Sequence, residues 1–308
     1  MTEILRGGVI GAGVFGGYHA RQYARLDGVV LSAVLDPHPD RAAGVAVPLG
    51  GRAFHNLAEF LEAVDVVTIA SPATGHADQA LAVLAAGKPV YVEKPIAVSL
   101  AGAQRIRAVA AAKGLTVGCG HQERVVFRAM GLLEIPEQPL RLEARRHGPP
   151  SERSQDVSAV LDLMVHDIDL ALTLSAARPR LAEGGGCDAS GDWDSVRAEI
   201  GFDDGFTAAF DVSRQAAVRE RRMRVLFPSG EVEIDFLART FRNTTPFALN
   251  PDFGETPAGQ DPLGASVQGF LMAVRGEAPR PMVTVDEAIG ALEVALAVEQ
   301  SARQGAAA

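Results

Sequence analysis

The segment Gly11-Ala12-Gly13-Val14-Phe15-Gly16 lies between an apolar run, Gly7 to Ile10, and a helical pattern, Phe15 to Leu26. That setting constrains the fold more than any other feature, because glycines at this spacing serve a strand that turns sharply into a helix. Gly11 permits the tight turn and Gly13 lets the backbone approach an anion. Gly16 allows the helix to pack closely on the strand, with the helix N-terminus facing that anion. A strand, helix, strand, helix rhythm then continues to about residue 120. Val29 to Leu35, Val64 to Ala70, Val90 to Val92 and Thr116 to Cys119 are Val-rich and unbroken, as strands buried on both faces are. Helical patterns fill the gaps at Leu57 to Ala63, Gly75 to Ala86 and Leu100 to Ala112. Gly87 and Gly114 follow two of them at C-cap positions.

Residues 1–120 are therefore expected to form an α/β Rossmann domain, a doubly wound parallel sheet that binds a dinucleotide. Asp36, twenty residues past Gly16, ends the second strand. A carboxylate there accepts hydrogen bonds from the adenosine ribose and repels a 2'-phosphate, which favours NAD over NADP, although Arg41 lies nearby. Flavin and adenosylmethionine occupy the same crevice in other doubly wound proteins, and glycine spacing alone does not separate them.

Beyond residue 120 the rhythm changes. One or two helices precede strand-like segments at Leu140 to Arg146, Val196 to Phe202, Phe206 to Val212, Arg222 to Phe227 and Glu231 to Phe236. Asp203-Asp204-Gly205 and Pro228-Ser229-Gly230 separate successive strands as short hairpin turns do. Asn243 to Gln260 has the composition of an irregular loop, and two helices close the chain, Pro262 to Arg275 and Val285 to Arg303. Residues 121–308 are expected to form an α+β substrate and oligomerisation domain with an open, mainly antiparallel sheet, the C-terminal helix being free to pack back on the first domain. At 308 residues a two-domain chain is the natural expectation.

Net charge of −9 argues against a nucleic-acid partner, since such affinity comes from clustered cations. Cys119 and Cys187 lie far apart and form no disulfide framework or C-x-x-C pair, which fits a reducing cytoplasm. No signal peptide opens the chain, and the apolar stretch Ala288 to Val298 is short and broken by Glu293, so no membrane partner is expected. Only three of the 29 basic residues are lysine, namely Lys88, Lys94 and Lys113. Where arginine supplies most surface charge, a retained lysine raises the question of whether an ammonium is needed.

Glu93-Lys94-Pro95 follows the apolar run Val90 to Val92, at the carboxyl end of a strand, where open α/β sheets bind ligands. Together with the glycine motif, it resembles the glucose-fructose oxidoreductase / inositol dehydrogenase (Gfo/Idh/MocA) family over nearly the whole chain. The family's E-K-P lysine contacts the reacting hydroxyl, and its D-x-x-x-H signature matches Asp162 and His166. Residues four apart on a helix share a face. Oxidising a secondary alcohol needs a base for the hydroxyl proton and positive charge for the developing alkoxide. The resemblance thus implies His166 as proton acceptor, Lys94 as polarising cation and Asp162 as orienter. Gly11, Gly13, Val14, Phe15, Gly16, Asp36, Ser71, Pro72, His76, Glu93, Lys94 and Gln122 make up the expected NAD-binding set. Standing alone, the Asp162 to Leu170 segment would equally suit a buried, satisfied histidine with flanking acids. A metal at His166, Asp162, Asp167 and Asp169 is not expected, because these ligands spread around the helix and Lys94 would repel the ion.

Gly120-His121-Gln122-Glu123-Arg124, Ala144-Arg145-Arg146-His147-Gly148-Pro149, Arg153 and Asp156-Val157 resemble the branch containing UDP-N-acetylglucosamine 3-dehydrogenases, which make a 3-keto sugar on the route to some lipid A. The resemblance implies a sugar or UDP-sugar substrate, with Arg145, Arg146, Arg153, Lys94 and His166 contacting it; arginine forks suit a diphosphate. Val125-Val126-Phe127-Arg128 departs from the branch's F-N-P continuation, and the second domain is short for the wider family. A free sugar or inositol-type polyol dehydrogenase and a non-catalytic NAD-binding regulator are the alternatives. A homodimer or homotetramer is expected from an exposed sheet face.

Overall fold

In the computed structural model, which describes residues 4–150, 156–185 and 193–306, all five apolar runs of the first third become strands of one parallel sheet. The elements are β1 (Leu5–Ile10), α1 (Val14–Arg25), β2 (Val29–Leu35), α2 (Pro39–Ala46), β3 (Arg52–Phe54), α3 (Leu57–Glu62), β4 (Val66–Ile69), α4 (His76–Ala85), β5 (Val90–Val92), α5 (Leu100–Lys113) and β6 (Val117–Cys119). Strand order is β3-β2-β1-β4-β5-β6, every pair parallel. The order reverses beside β1, so the loops leaving the carboxyl ends of β1 and β4 are neighbours, the place where such sheets hold ligands.

Two glycines in β1 explain how closely the helices pack. Side chains alternate between the faces of a strand. A Cβ on Gly7 would come within 2.8 Å of the Tyr23 ring of α1, and one on Gly8 within 2.6 Å of the Phe60 ring of α3. Tyr23 is fully buried, and its hydroxyl meets Thr68 Oγ1 of β4 at 2.8 Å. Helix α2 and strand β3 lie outside the sequence reading. The three-residue edge strand β3, exposed at Arg52 and Ala53, is too short to show periodicity.

The chain divides into two compact units, Met1–Gln122 with Asp261–Ile289, and Glu123–Gln260 with Gly290–Ala308. A single cut at residue 120 therefore misses the return of Asp261–Ile289 to the first unit. The physical reason is α9 (Pro262–Val274): Val267, Phe270 and Leu271 are fully buried in the same apolar cluster as Tyr23, Val66 and Tyr91. Phe270 meets Tyr91 edge-on, with ring centroids 5.6 Å apart, and the Tyr91 hydroxyl meets Ser266 Oγ at 2.9 Å. Burying one such ring contributes about 1.5–3 kcal/mol.

In the second unit, α6 (Glu123–Met130) is followed by β7 (Arg141–His147), a π-helical turn (Val160–Met164) running into α7 (Val165–Leu174), then β8 (Pro179–Gly185), β9 (Ser195–Phe202), β10 (Thr207–Ser213), β11 (Glu220–Phe227), β12 (Gly230–Asp235) and β13 (Thr240–Asn243). The short helix α8 (Pro257–Gln260) lies inside the stretch expected to be irregular, and α10 (Val285–Ala306) closes the chain. The seven strands form one sheet, β13-β12-β11-β7-β10-β9-β8. Only β7 and β10 pair in parallel; all other neighbours are antiparallel. Gly205, at φ +89°, closes the β9–β10 turn, and Pro228-Ser229 form the two-residue loop between the paired Phe227 and Gly230. Alternate residues of β9, β10 and β11 are buried, so one face of the sheet carries the core and the other is charged. Edge strands β8 and β13 escape sequence reading because a Gly-rich stretch and a four-residue polar segment show no clear alternation.

Candidate functional site

In the first unit, the glycine turn has the geometry an anion needs. Gly11 adopts φ +100°, and a Cβ there would sit 2.7 Å from Ala70 O and Ser71 N, so the β1 and β4 loops touch backbone to backbone. A Cβ on Gly16 would fall 1.8 Å from Gly11 O, which only a glycine avoids. Around Gly13, by contrast, a Cβ would meet open space, and Gly13, Val14 and Phe15 are exposed at the N-terminus of α1. Buried Asp36 braces the turn: its Oδ2 accepts from Ala12 N at 2.9 Å and its Oδ1 from His38 N at 2.9 Å. These features fit a dinucleotide, with Gly13 giving close approach to the pyrophosphate and Asp36 at the ribose end.

Glu93 is buried at the end of β5. Its Oε1 lies 2.7 Å from His19 Nε2 of α1 and accepts from Gln122 Nε2 at 3.0 Å. Its Oε2 accepts from the backbone N–H of Lys94 at 3.3 Å. The carboxylate thus fixes the start of the lysine loop from beneath. His76 holds the same loop from the side: its Nδ1 lies 2.7 Å from Pro95 O and its Nε2 2.9 Å from Ser71 O. Ser71 Oγ donates to Gln79 Oε1 at 2.6 Å. Gly120, Gln122, Glu93, Lys94, Ser71, Pro72 and His76 are therefore parts of one connected framework.

In the second unit, His166 stands in the first turn of α7, directly after the π-helical turn that holds Asp162. Such turns recur at functional sites because they re-aim side chains. His166 Nδ1 lies 2.7 Å from Glu123 Oε2. Glu123 Oε1 accepts from Arg146 NH1 at 2.9 Å, and the Arg146 fork closes on Asp167, Nε to Oδ2 at 3.1 Å and NH2 to Oδ1 at 2.7 Å. Burial would push the Glu123 carboxyl up, but His166 and Arg146 together hold it well below the ordinary carboxylate range. Burial likewise works against the Arg146 charge, and Asp167 with Glu123 holds it firmly charged. An ionised carboxylate at Nδ1 selects the tautomer with its proton there and leaves Nε2 as the basic nitrogen. Asp162 Oδ2 lies 4.0 Å from Arg214 NH1, and Arg214 is anchored by Asp194 and by Val157 O.

The family model described as an oxidoreductase family with an NAD-binding Rossmann fold matches residues 5–121. Over 315 residues the chain is 32% identical to a UDP-N-acetylglucosamine 3-dehydrogenase of Acidithiobacillus ferrooxidans, covering 96% of this chain and 97% of that one. The chain belongs to the Gfo/Idh/MocA oxidoreductase family. A solved structure of the Acidithiobacillus ferrooxidans enzyme superposes with a TM-score of 0.88 at 30% identity over 99% of both chains. An inositol 2-dehydrogenase of Cereibacter sphaeroides is 36% identical over 177 residues, 54% of this chain and 52% of that one. This member of the family is thus an NAD-dependent dehydrogenase.

Of the expected arginine cluster, the two described members stand apart. Arg145 and Arg146 are successive residues of β7 and face opposite sides of the sheet. Arg146 is 3% exposed and committed to Glu123 and Asp167, so it is a structural cation and leaves the substrate set. The Arg145 side chain is 55% exposed on the charged face, near Asp211 and Glu220. Arg153 lies outside the described residues, as does Cys187, while Cys119 is buried in β6. Asp169 forks onto buried Arg124 at 2.7 Å on both oxygens, a structural pair. Among the described residues no cluster of acids, histidines and cysteines is arranged to hold a metal, and no helix is long and apolar enough to cross a membrane. Two of the three lysines serve backbone carbonyls: Lys88 Nζ donates to Val64 O at 2.6 Å and Lys113 Nζ to Ala85 O at 2.7 Å. Sequence reading passed over Glu123 and His19 as site residues. Glu123 sits in the quoted Gly120 to Arg124 motif, and its spacing to His166 carries no local signal, since the two are 43 positions apart with a sheet strand between them.

Proposed function

We propose that this dehydrogenase oxidises a secondary hydroxyl of a sugar, C3 of UDP-N-acetylglucosamine or a closely related nucleotide sugar, with Lys94, Asp162 and His166 as its catalytic residues. The observation that carries the reading is the contact of His166 Nδ1 with an ionised, part-buried Glu123, which leaves Nε2 as a base with a built-in counter-charge. His166 Nε2 takes the hydroxyl proton, and Glu123 steadies the imidazolium that results. The Lys94 ammonium, on a loop fixed by Glu93 and His76, lowers the cost of negative charge on the sugar oxygen. Asp162, steered by Arg214, orients the sugar or the imidazole. NAD, when bound along the Gly11 to Gly16 turn with Asp36 at its ribose end, supplies the hydride acceptor.

Support for the nucleotide sugar comes from the full-length match to a UDP-N-acetylglucosamine 3-dehydrogenase at 32% identity; an inositol 2-dehydrogenase matching about half the chain at 36% and a scyllo-inositol 2-dehydrogenase matching 99% of it at 27% favour a free polyol as the second reading. Incubating the protein with NAD and a panel of UDP-sugars, free sugars and inositols, with absorbance of NADH as readout and NMR to locate the carbonyl, separates the two. NADH formed only with unphosphorylated compounds overturns the nucleotide-sugar reading. Lys94→Ala protein should bind NAD normally and form no NADH; unchanged turnover removes Lys94 from the catalytic group. Self-association as a homodimer or homotetramer completes the proposal. The charged sheet face carries both signs, among them Arg145, Arg197 and Glu220, a pattern a symmetry-related copy can complement, and light scattering measures the mass.

A further inference from the structure

Charge does not balance beside His166. In the antiparallel pairing of β11 with β7, Arg221 stands directly opposite Arg146. Cα atoms of such partners are roughly 4.5–5.5 Å apart, and like charges there repel. Arg146 is saturated by Asp167 and Glu123. The part-buried Arg221 guanidinium makes no hydrogen bond or ion pair with any described residue, and neither does that of exposed Arg219, two residues earlier. Around the Arg221 guanidinium stand the like charges of Arg146 and Arg219 and the carboxylates of Glu123 and Asp167. Burial and the repulsion of Arg146 press Arg221 below the ordinary arginine range.

The other face of the same sheet shows the usual solution. There Arg141, Arg145, Arg197, Arg222, Arg224 and Arg242 each have a carboxylate partner. A part-buried guanidinium beside the proposed base, with no hydrogen-bonded or ion-paired anion among the described residues, has a place for an anion from outside. Arg219, two residues earlier, is near enough to repel it, and two guanidiniums, each with several N–H donors, suit an anion with two charged centres better than a single carboxylate.

We propose that Arg221, with Arg219 beside it, holds the phosphate oxygens of a nucleoside diphosphate sugar in the substrate site. This rests on the reading of His166 as the base and of a nucleotide sugar as substrate, and assigns to Arg221 and Arg219 the part that Arg146 cannot play. UDP alone is the probe: it is titrated by calorimetry into the NAD-loaded wild-type protein, Arg221→Gln and Arg221→Lys. The dissociation constant for UDP should rise tenfold or more in Arg221→Gln and less in Arg221→Lys, with NAD affinity and thermal midpoint unchanged. Equal UDP affinity in wild type and Arg221→Gln, or no UDP binding to wild type, overturns the proposal. Arg221-dependent UDP binding without turnover of any UDP-sugar leaves the anion site standing and removes the sugar reading. Oxidation of UDP-N-acetylglucosamine with the same KM in wild type and Arg221→Gln does the reverse.

Discussion

Replacing Glu123 with glutamine removes one part-buried negative charge at almost constant volume, and its consequences can be worked from three contacts. The native carboxylate lies 2.7 Å from His166 Nδ1 and 2.9 Å from Arg146 NH1. An amide oxygen still accepts from Arg146, so the loss of stability should fall below the about 3–5 kcal/mol of a broken buried pair. Turnover should suffer more specifically. When His166 takes a proton, the new imidazolium loses the opposite charge 2.7 Å from its Nδ1, about 1.5–3 kcal/mol, a fall in kcat of roughly 10- to 150-fold. Because the base works deprotonated and loses the anion that favours its protonated form, the acid limb of the kcat profile should move to lower pH while the plateau drops. The assay is NADH formation from pH 5 to pH 9 with the proposed substrate in excess, alongside NAD binding, which should not change. A folded Glu123→Gln protein with kcat within twofold of wild type and an unmoved acid limb would refute the assignment of Glu123 to His166.

Gly16→Ala places a methyl 1.8 Å from Gly11 O, where backbone cannot yield, so it should cost about 1–3 kcal/mol or more and abolish NAD binding, read by thermal melting and fluorescence titration. Asp36→Ala removes the carboxylate that braces Ala12 and disfavours a 2'-phosphate; NAD affinity should fall and the preference for NAD over NADP should narrow, measured as a ratio of kcat/KM values. Glu123 has a native carboxyl below its ordinary value of 4.5, so its stabilisation is complete above about pH 4.5 and is lost as pH falls through the native value. The Glu123 share of the difference in melting temperature between wild type and Glu123→Gln should therefore shrink on acidification below about pH 4.5.

The first unit was largely legible because its signals are local. Gly11 and Gly16 perform their turn and packing roles and Gly13 leaves open space within one strand-to-helix junction, and Asp36 arrives from the adjacent strand at a fixed offset. Buried parallel strands also announce themselves as unbroken Val-rich runs, whereas β3, β8 and β13, as edge strands, do not. The second unit resists for a geometric reason. Arg145 and Arg146 look like one cluster when written side by side, yet the pleat sends them to opposite faces. Conversely, Glu123, Arg146, His166 and Arg221 are scattered over nearly a hundred residues and meet only through strand register and the turn entering α7. No window of sequence contains that arrangement. Pairing partners must be known before the charges can be counted.

The return of α9 to the first unit has a bearing on how the chain is made. Ribosomes deliver residues from the N-terminus at about 5–20 per second. The sheet strands have emerged by Cys119, but Val267, Phe270 and Leu271, which cover Tyr91, follow only after almost the whole second unit. For much of its synthesis the nucleotide-binding sheet must wait with one flank uncovered, a nascent surface on which chaperones would be expected to act. A fragment ending at Gln122 would keep that flank bare permanently, and should be insoluble unless residues 261–289 are supplied alongside it.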